Sequence, residues 1–301
     1  MLLDLQKEIR EKMAAMEASA SKPRVTADQM VSFLSKMEVE NKMDIKELVE
    51  GGDLRRLAYG RLTNKMYDYT VKSENGEQEF SHTGKLYISG KDGDAKIGVL
   101  SRFDKEVDQT QYMGHVFTPE ERSNLFMNGQ AGNVIEIDRN HGKEGVEPQL
   151  EKCFVTYDRE LNRFKAVAVD KISDKAFSQI YGQKLSEEQQ TILKEGKPVL
   201  YSAKGNDGQD RNVVLQFDAF EFGLKQWPAI FAAPRQFLGA KLDESQRKAL
   251  AEGQDVELHD MKKKDGTTFN ARVKLNDNAK VVFVATAKHE QKTEKKASLK
   301  M

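Results

Sequence analysis

Only one cysteine, Cys153, occurs in the 301 residues, so no intramolecular disulfide can form, which fits a reducing cytoplasm. Charge of one sign is also lacking: Lys plus Arg and Asp plus Glu stand at 48 each. That balance excludes a global basic field for nucleic acid and makes any charged binding surface local. No apolar run approaches the roughly eighteen residues a membrane helix needs. The first ten residues already carry acid and base with no apolar stretch behind them, so the N-terminus does not read as a signal peptide. Hydrophobic residues make up 38% against 32% charged, so the cores should be modest.

Recognisable chemistry is equally sparse. His82, His115, His141, His259 and His289 are scattered, and none falls into a zinc-ligand spacing. They read as structural or solvent-exposed; His141 with Asp138 and Glu144 reads as a polar loop. There is no phosphate-loop motif and no nucleophile elbow. Gly84, Gly90 and Gly93 read as turn glycines between strands, not as a dinucleotide fingerprint. Paired glutamates at 120–121 and 187–188 belong to first helical turns, where negative charge suits the helix dipole. The chain reads as a non-enzyme, and no motif asks for a cofactor or a metal.

What is present is a unit written three times. Gly-His-Val-Phe-Thr-Pro-Glu-Glu-Arg starts at Gly114, Gly-Gln-Lys-Leu-Ser-Glu-Glu-Gln-Gln at Gly182, and Gly-Ala-Lys-Leu-Asp-Glu-Ser-Gln-Arg at Gly239. Leu125, Leu193 and Leu250 occupy the same distance from these glycines, and each copy closes on Gly129, Gly196 or Gly253. Thr118 with Glu121, Ser186 with Gln189 and Asp243 with Gln246 predict capping boxes, and Pro119 suits a first helical position. The closing glycines suit left-handed C-caps. Helices of about ten residues are marginal alone and must pack on something. Strand-like segments at 133–137, 198–202 and 255–259 follow them. Turns at Asn206-Asp207-Gly208 and Lys264-Asp265-Gly266 lead into further strands at 213–217 and 269–275, with Val281 opening a last one. The first copy is divergent, with one extra residue before Gly129 and a longer strand region through Phe154-Val155-Thr156-Tyr157.

Upstream, residues 1–19 predict an amphipathic helix, Thr26 and Gln29 cap a second, and a third helical stretch near 44–58 is interrupted by Gly51-Gly52. The first helix either docks on its own chain or serves a partner. A β-meander follows, with Asn75-Gly76 and Asp92-Gly93 marking its turns. The fold class expected is therefore α+β: tandem small modules of a short capped helix plus an antiparallel β-meander, preceded by a helical and β-meander N-terminal domain. The boundaries expected are a charged helix and linker at 1–22, an α+β domain at 23–111, modules at 112–178, 179–236 and 237–286, and a disordered basic tail at 287–301.

Two kinds of surface residue stand out. Arg55, Arg56 and Arg61 surround Tyr59, and Lys262, Lys263 and Lys264 precede a hairpin turn. Both clusters are candidates for phosphate contact, and arginine beside an aromatic also stacks on bases. The same arginines would equally complete a helix dipole, and lysine at a hairpin tip equally serves solubility. Phe220, Phe222, Trp227, Phe231 and Phe237 concentrate the aromatic content between the second and third copies. Buried, they form a joint between modules; exposed, they form a protein-interaction patch.

The stretch Tyr112 to Ile137, the repeats opening at Gly182 and Gly239, and Lys263-Lys-Asp-Gly-Thr-Thr-Phe-Asn-Ala resemble a family of proteins of unknown function encoded by Bacteroides-type conjugative transposons. Members commonly lie near a gene for a topoisomerase III-like enzyme, and some relatives occur as modules of large polyvalent phage and plasmid proteins. Leu48 to Asn64 resembles that family's companion N-terminal domain. The resemblance implies a cytoplasmic accessory protein of a mobile element, with DNA or a topoisomerase- or relaxase-type protein as partner, and it brings no catalytic site. The segment 220–237 and the Lys204-Gly205 turn depart from the family pattern. The alternatives are a counter-defence protein that inhibits a host immune or restriction component, and a structural interaction module.

Overall fold

The computed structural model describes residues 2–19, 22–73, 75–90, 92–180, 183–204 and 210–284. The Asn206-Asp207-Gly208 turn, Gly182 and the 287–301 tail lie outside them. The described residues fall into two compact units, one drawn from 1–112 and 156–165, the other from the remainder.

In the first unit, α1 (Leu2–Glu17), α2 (Ala27–Asn41), α3 (Lys46–Glu50) and α4 (Asp53–Ala58) pack with β1 (Tyr67–Lys72), β2 (Glu79–Ser89) and β3 (Lys96–Ser101). The strands form an antiparallel sheet in chain order. Thr26 and Gln29 close the predicted capping box on α2. Ile9 and Met13 of α1 are buried in one core with Met30, Leu34, Leu48, Leu54, Leu57, Tyr67, Leu86 and Ile88, so α1 docks on its own chain. Each such side chain removed from water stabilises by roughly 1.5–3 kcal/mol, which a sixteen-residue helix could not gain alone. Asp53, 2% exposed, accepts from the backbone N–H groups of Asn64 and Lys65 and from the Tyr67 hydroxyl at 2.7, 3.1 and 2.9 Å. A buried carboxylate with three donors pins α4 to β1. Burial, then the neighbouring Asp53 carboxylate, pushes the Tyr67 hydroxyl pKa upward, so it stays a donor. Gly84 is a correction: it lies inside β2, where a Cβ would stand 2.7 Å from the Leu100 carbonyl and a Val99 methyl.

Three modules of one design follow. Each begins with a two-residue hairpin the sequence reading missed: β4 (Gln111–Tyr112) with β5 (His115–Val116), then, in the later copies, β9 with β10 (Gln179–Ile180, Gln183–Lys184) and β14 with β15 (Gln236–Phe237, Ala240–Lys241). The opening glycines supply the tight turn; Met113 and Gly114 have φ of 46° and 80°, Leu238 and Gly239 of 47° and 87°. The capped helices are α5 (Pro119–Asn128), α7 (Glu187–Lys194) and α8 (Glu244–Ala251), with a short α6 (Lys175–Ser178) before the second hairpin. All three capping boxes form, and Gly129, Gly196 and Gly253 are left-handed at φ 75°, 79° and 81°.

Each helix then meets a three-stranded sheet: β6 (Ile135–Asp138), β7 (Leu150–Asp158) and β8 (Arg163–Ala168); β11 (Val199–Lys204), β12 (Asp210–Asp218) and β13 (Gly223–Pro228); β16 (Val256–Lys262), β17 (Thr268–Leu275) and β18 (Val281–Phe283). The end of the middle strand carries a second repeated device. Asp158 accepts from the N–H groups of Glu160 and Leu161, Asp218 from those of Phe220 and Glu221, and Asn276 from those of Asn278 and Lys280. A side-chain oxygen thus closes each second hairpin.

Within the second unit the modules share cores rather than standing apart. Phe154 of the first lies 4.5 Å from the Phe217 ring of the second and 5.8 Å from Phe177. Gln130 donates to Asp218 at 3.0 Å, with both residues 2% exposed. Val134 N–H donates to the Glu195 carbonyl, and Leu200 N–H to the Asp277 carbonyl.

Candidate functional site

The first module gathers a polar cluster at the start of α5. Glu121 is 6% exposed and takes three donors: Thr118 N–H at 2.8 Å, His115 Nε2 at 3.1 Å and Asn133 Nδ2 at 3.1 Å. Burial opposes ionisation, but the hydrogen bonds from Thr118, His115 and Asn133 outweigh it and hold the carboxyl below its ordinary range. The other two modules place neutral Gln189 and Gln246 here. His115 and Glu121 serve the cap, which is a structural task. His141 backs onto Gly114, where a Cβ would stand 3.2 Å from Nδ1. Cys153 is fully buried between Arg139 Nη2 at 3.4 Å and Glu151 at 3.6 Å. Burial raises its thiol pKa to about 11, the wrong direction for a nucleophile.

In the first unit, Lys85 is 7% exposed and pairs with Asp158 at 2.8 Å and Glu160 at 2.6 Å. Burial works against its charge, yet the two carboxylates raise its pKa overall, so it is a structural ammonium. A shallow polar depression lined by Asp44, Glu47, Glu50 and Lys65 is open to solvent, and Glu47 pairs with Lys65. Among the described residues no group of three His, Cys, Asp or Glu side chains is placed to hold a metal ion. No helix there is long and apolar enough to cross a membrane.

The basic candidates divide by environment. Arg55 is exposed on α4 with its Cζ 5.9 Å from the Tyr59 ring centre. Arg56 turns back and donates to the Leu62 carbonyl at 2.8 Å. Arg61 is exposed just past the helix end. Arg24, which the sequence reading did not single out, folds onto the same place: a Cβ on Gly60 would meet its Cδ at 2.5 Å and Nη1 at 2.7 Å. In the third module, Lys262 lays its methylenes along Gly239, Lys263 lies 5.7 Å from the Phe269 ring centre, and Lys264 is exposed at the turn.

The aromatic candidates are dispersed. Phe220 and Phe222 sit in the β12–β13 turn, with Phe222 52% exposed. Trp227 is in β13 opposite Val214, packed beside a small cluster with Ala229 and Ala279. Phe231 is 50% exposed after β13, while Phe237 is half-buried against the third module with its ring 5.8 Å from Phe283.

The profile of a family described as a protein of unknown function (DUF3945) matches residues 178–223 and 234–283, which fall on the second and third modules. No curated protein and no solved structure matches the chain.

Proposed function

We propose that this chain is a non-enzymatic accessory protein of a mobile genetic element, assisting DNA processing or transfer by contacting nucleic acid or docking a topoisomerase- or relaxase-type protein. The observation that carries this reading is where the repeated side chains go. Thr118, Ser186 and Asp243 cap helices, Leu125, Leu193 and Leu250 fill cores, and Asp158, Asp218 and Asn276 close turns. Repetition here builds a scaffold and leaves no recurring reactive group. Among the candidate cations, Arg55, Arg61, Lys262, Lys263 and Lys264 are exposed and so can reach a phosphate backbone. With zero net charge, such contact is modest and strongly salt-dependent.

Fluorescence anisotropy with labelled single-stranded and duplex DNA tests this directly. Binding at low salt that weakens steeply toward physiological salt is expected; none at low salt removes direct DNA contact. A second reading, a counter-defence protein that inhibits a host immune or restriction component, draws on the half-exposed Phe222 and Phe231. It expects one tight protein partner, indifferent to DNA, whose binding falls when both phenylalanines become serine.

A further inference from the structure

We infer that the DNA-contacting site is an arginine cluster built by Arg24, Arg55 and Arg61 around Tyr59 and Gly60, and that its ligand is a single-stranded nucleic acid backbone. The inference rests on the reading above and narrows it to one place and one ligand class.

The cluster is assembled from two distant chain segments. The backbone N–H of Arg24 donates to the Ala58 carbonyl at 2.7 Å, which fastens the segment before α2 to the end of α4. Its side chain then runs over Gly60: a Cβ there would stand 2.5, 2.6 and 2.7 Å from the Arg24 Cδ, Nε and Nη1 atoms, so the arginine would have to swing aside. Gly60 has φ of 70°, a backbone conformation that favours glycine. The Tyr59 hydroxyl is 3.1 Å from Ser19 Oγ, which anchors the ring on which Arg55 rests.

Among the described residues, none of Arg24, Arg55 and Arg61 has a carboxylate within 4.0 Å, unlike Lys85, Arg139 or Arg247. The acids nearest in sequence are already engaged: Asp28 with Arg10 at 3.2 Å, and Asp53 with Asn64, Lys65 and Tyr67. The carbonyl end of α4 favours cations but offers each at most a partial charge. By contrast, Lys262–Lys264 lie between Asp260 and Asp265 in sequence, and lysine lacks a planar face.

The geometry favours a single strand over a duplex. Reading a duplex groove takes a protruding helix or ribbon, or a long basic track, and three guanidinium groups at one helix end are neither. Arg55 over the Tyr59 ring, with Arg24 over the adjoining Gly60, matches the pairing of an aromatic platform with backbone charges that holds unpaired bases.

The test uses the full chain with labelled oligodeoxythymidine and a duplex of equal length. The exposed positions permit Arg24→Gln/Arg55→Gln/Arg61→Gln without loss of fold, checked by circular dichroism and thermal melting. The expected result is single-strand binding at least tenfold weaker, with the slope of log affinity against log salt shallower by about 2, roughly 0.7 per phosphate contact. Lys262→Gln/Lys263→Gln/Lys264→Gln, which tests the other basic cluster, should lose far less single-strand affinity than the arginine variant, and Arg55→Lys should lose stacking while keeping charge. Should the triple arginine variant bind normally while the lysine variant fails, this site is wrong and the accessory reading stands. Equal affinity for duplex and single strand overturns the ligand class. A parent protein that binds neither overturns the nucleic-acid reading and this site with it. Should the arginine variant not fold, Arg61→Gln alone, read by the salt slope, decides the question.

Discussion

The first module and the second are the same object built to different tolerances. Counted from the opening glycines, Phe117 and Leu185 fill the core, Thr118 and Ser186 cap the helix, and Leu125 and Leu193 bury beneath it. Elsewhere they diverge. Val116, Phe126 and Met127 of the first, 70%, 61% and 55% exposed, stand where the second has Lys184, Lys194 and Glu195. The cap residue is ionised Glu121 in one and neutral Gln189 in the other. A few positions therefore specify the module, and the rest are free to vary, which is how one scaffold can carry unlike surfaces.

The largest effect should come from the closing glycines. A Cβ on Gly196 would lie 2.5 Å from the Asn133 carbonyl carbon and 2.6 Å from Val134 N, whereas on Gly253 it would meet only the Asn212 side-chain amide at 3.3 Å. Both are left-handed, so Gly253→Ala should cost about 1–2 kcal/mol and Gly196→Ala roughly 3–5, by chemical denaturation. Equal losses would mean that the contact between modules one and two is not tight.

Next come the buried leucines. Leu193→Ala and Leu125→Ala should each cost about 3 kcal/mol, by thermal or urea unfolding, since both sit nearly without solvent. A loss under about 1 kcal/mol in the first module alone would show that its divergent core has slack.

Asp218→Ala removes the buried bond from Gln130 and opens a turn, and should cost about 2–3 kcal/mol. Asn276→Ala opens only its turn and should cost about 1 kcal/mol in the same measurement.

The smallest effect sharpens the comparison itself. Glu121→Gln gives the first module the cap of the second and should cost about 1 kcal/mol near neutral pH. The folded Glu121 carboxyl lies below its ordinary range, so its contribution is complete above that range and is lost as pH falls through the lowered value. The variant's stability should lack that acid-side loss; identical pH profiles would remove the charge from the account.

Much of this was legible along the chain because its causes are local. A capping box needs residues three apart, a left-handed cap needs a glycine, and a buried leucine follows from helical spacing. The two-residue hairpins were missed because two residues carry no alternation to detect. Asp158, Asp218 and Asn276 were missed because a polar residue at a strand end resembles any loop residue until its donors are seen. Gly84 was misassigned because a strand glycine with a close neighbour and a turn glycine look alike in sequence.

Arg24 shows the same limit at the candidate site. Nothing within its own segment marks it, and Gly60 is thirty-six positions away. The repeats, their caps, their core leucines and the α+β character can be read along the chain, because they depend on interactions a few residues apart. Folding alone brings Gln130 to Asp218, Gly196 against Asn133 and the Arg24 side chain over Gly60. Those pairings follow from which surfaces bury one another, and burial is settled by the whole packed chain rather than by any window of it.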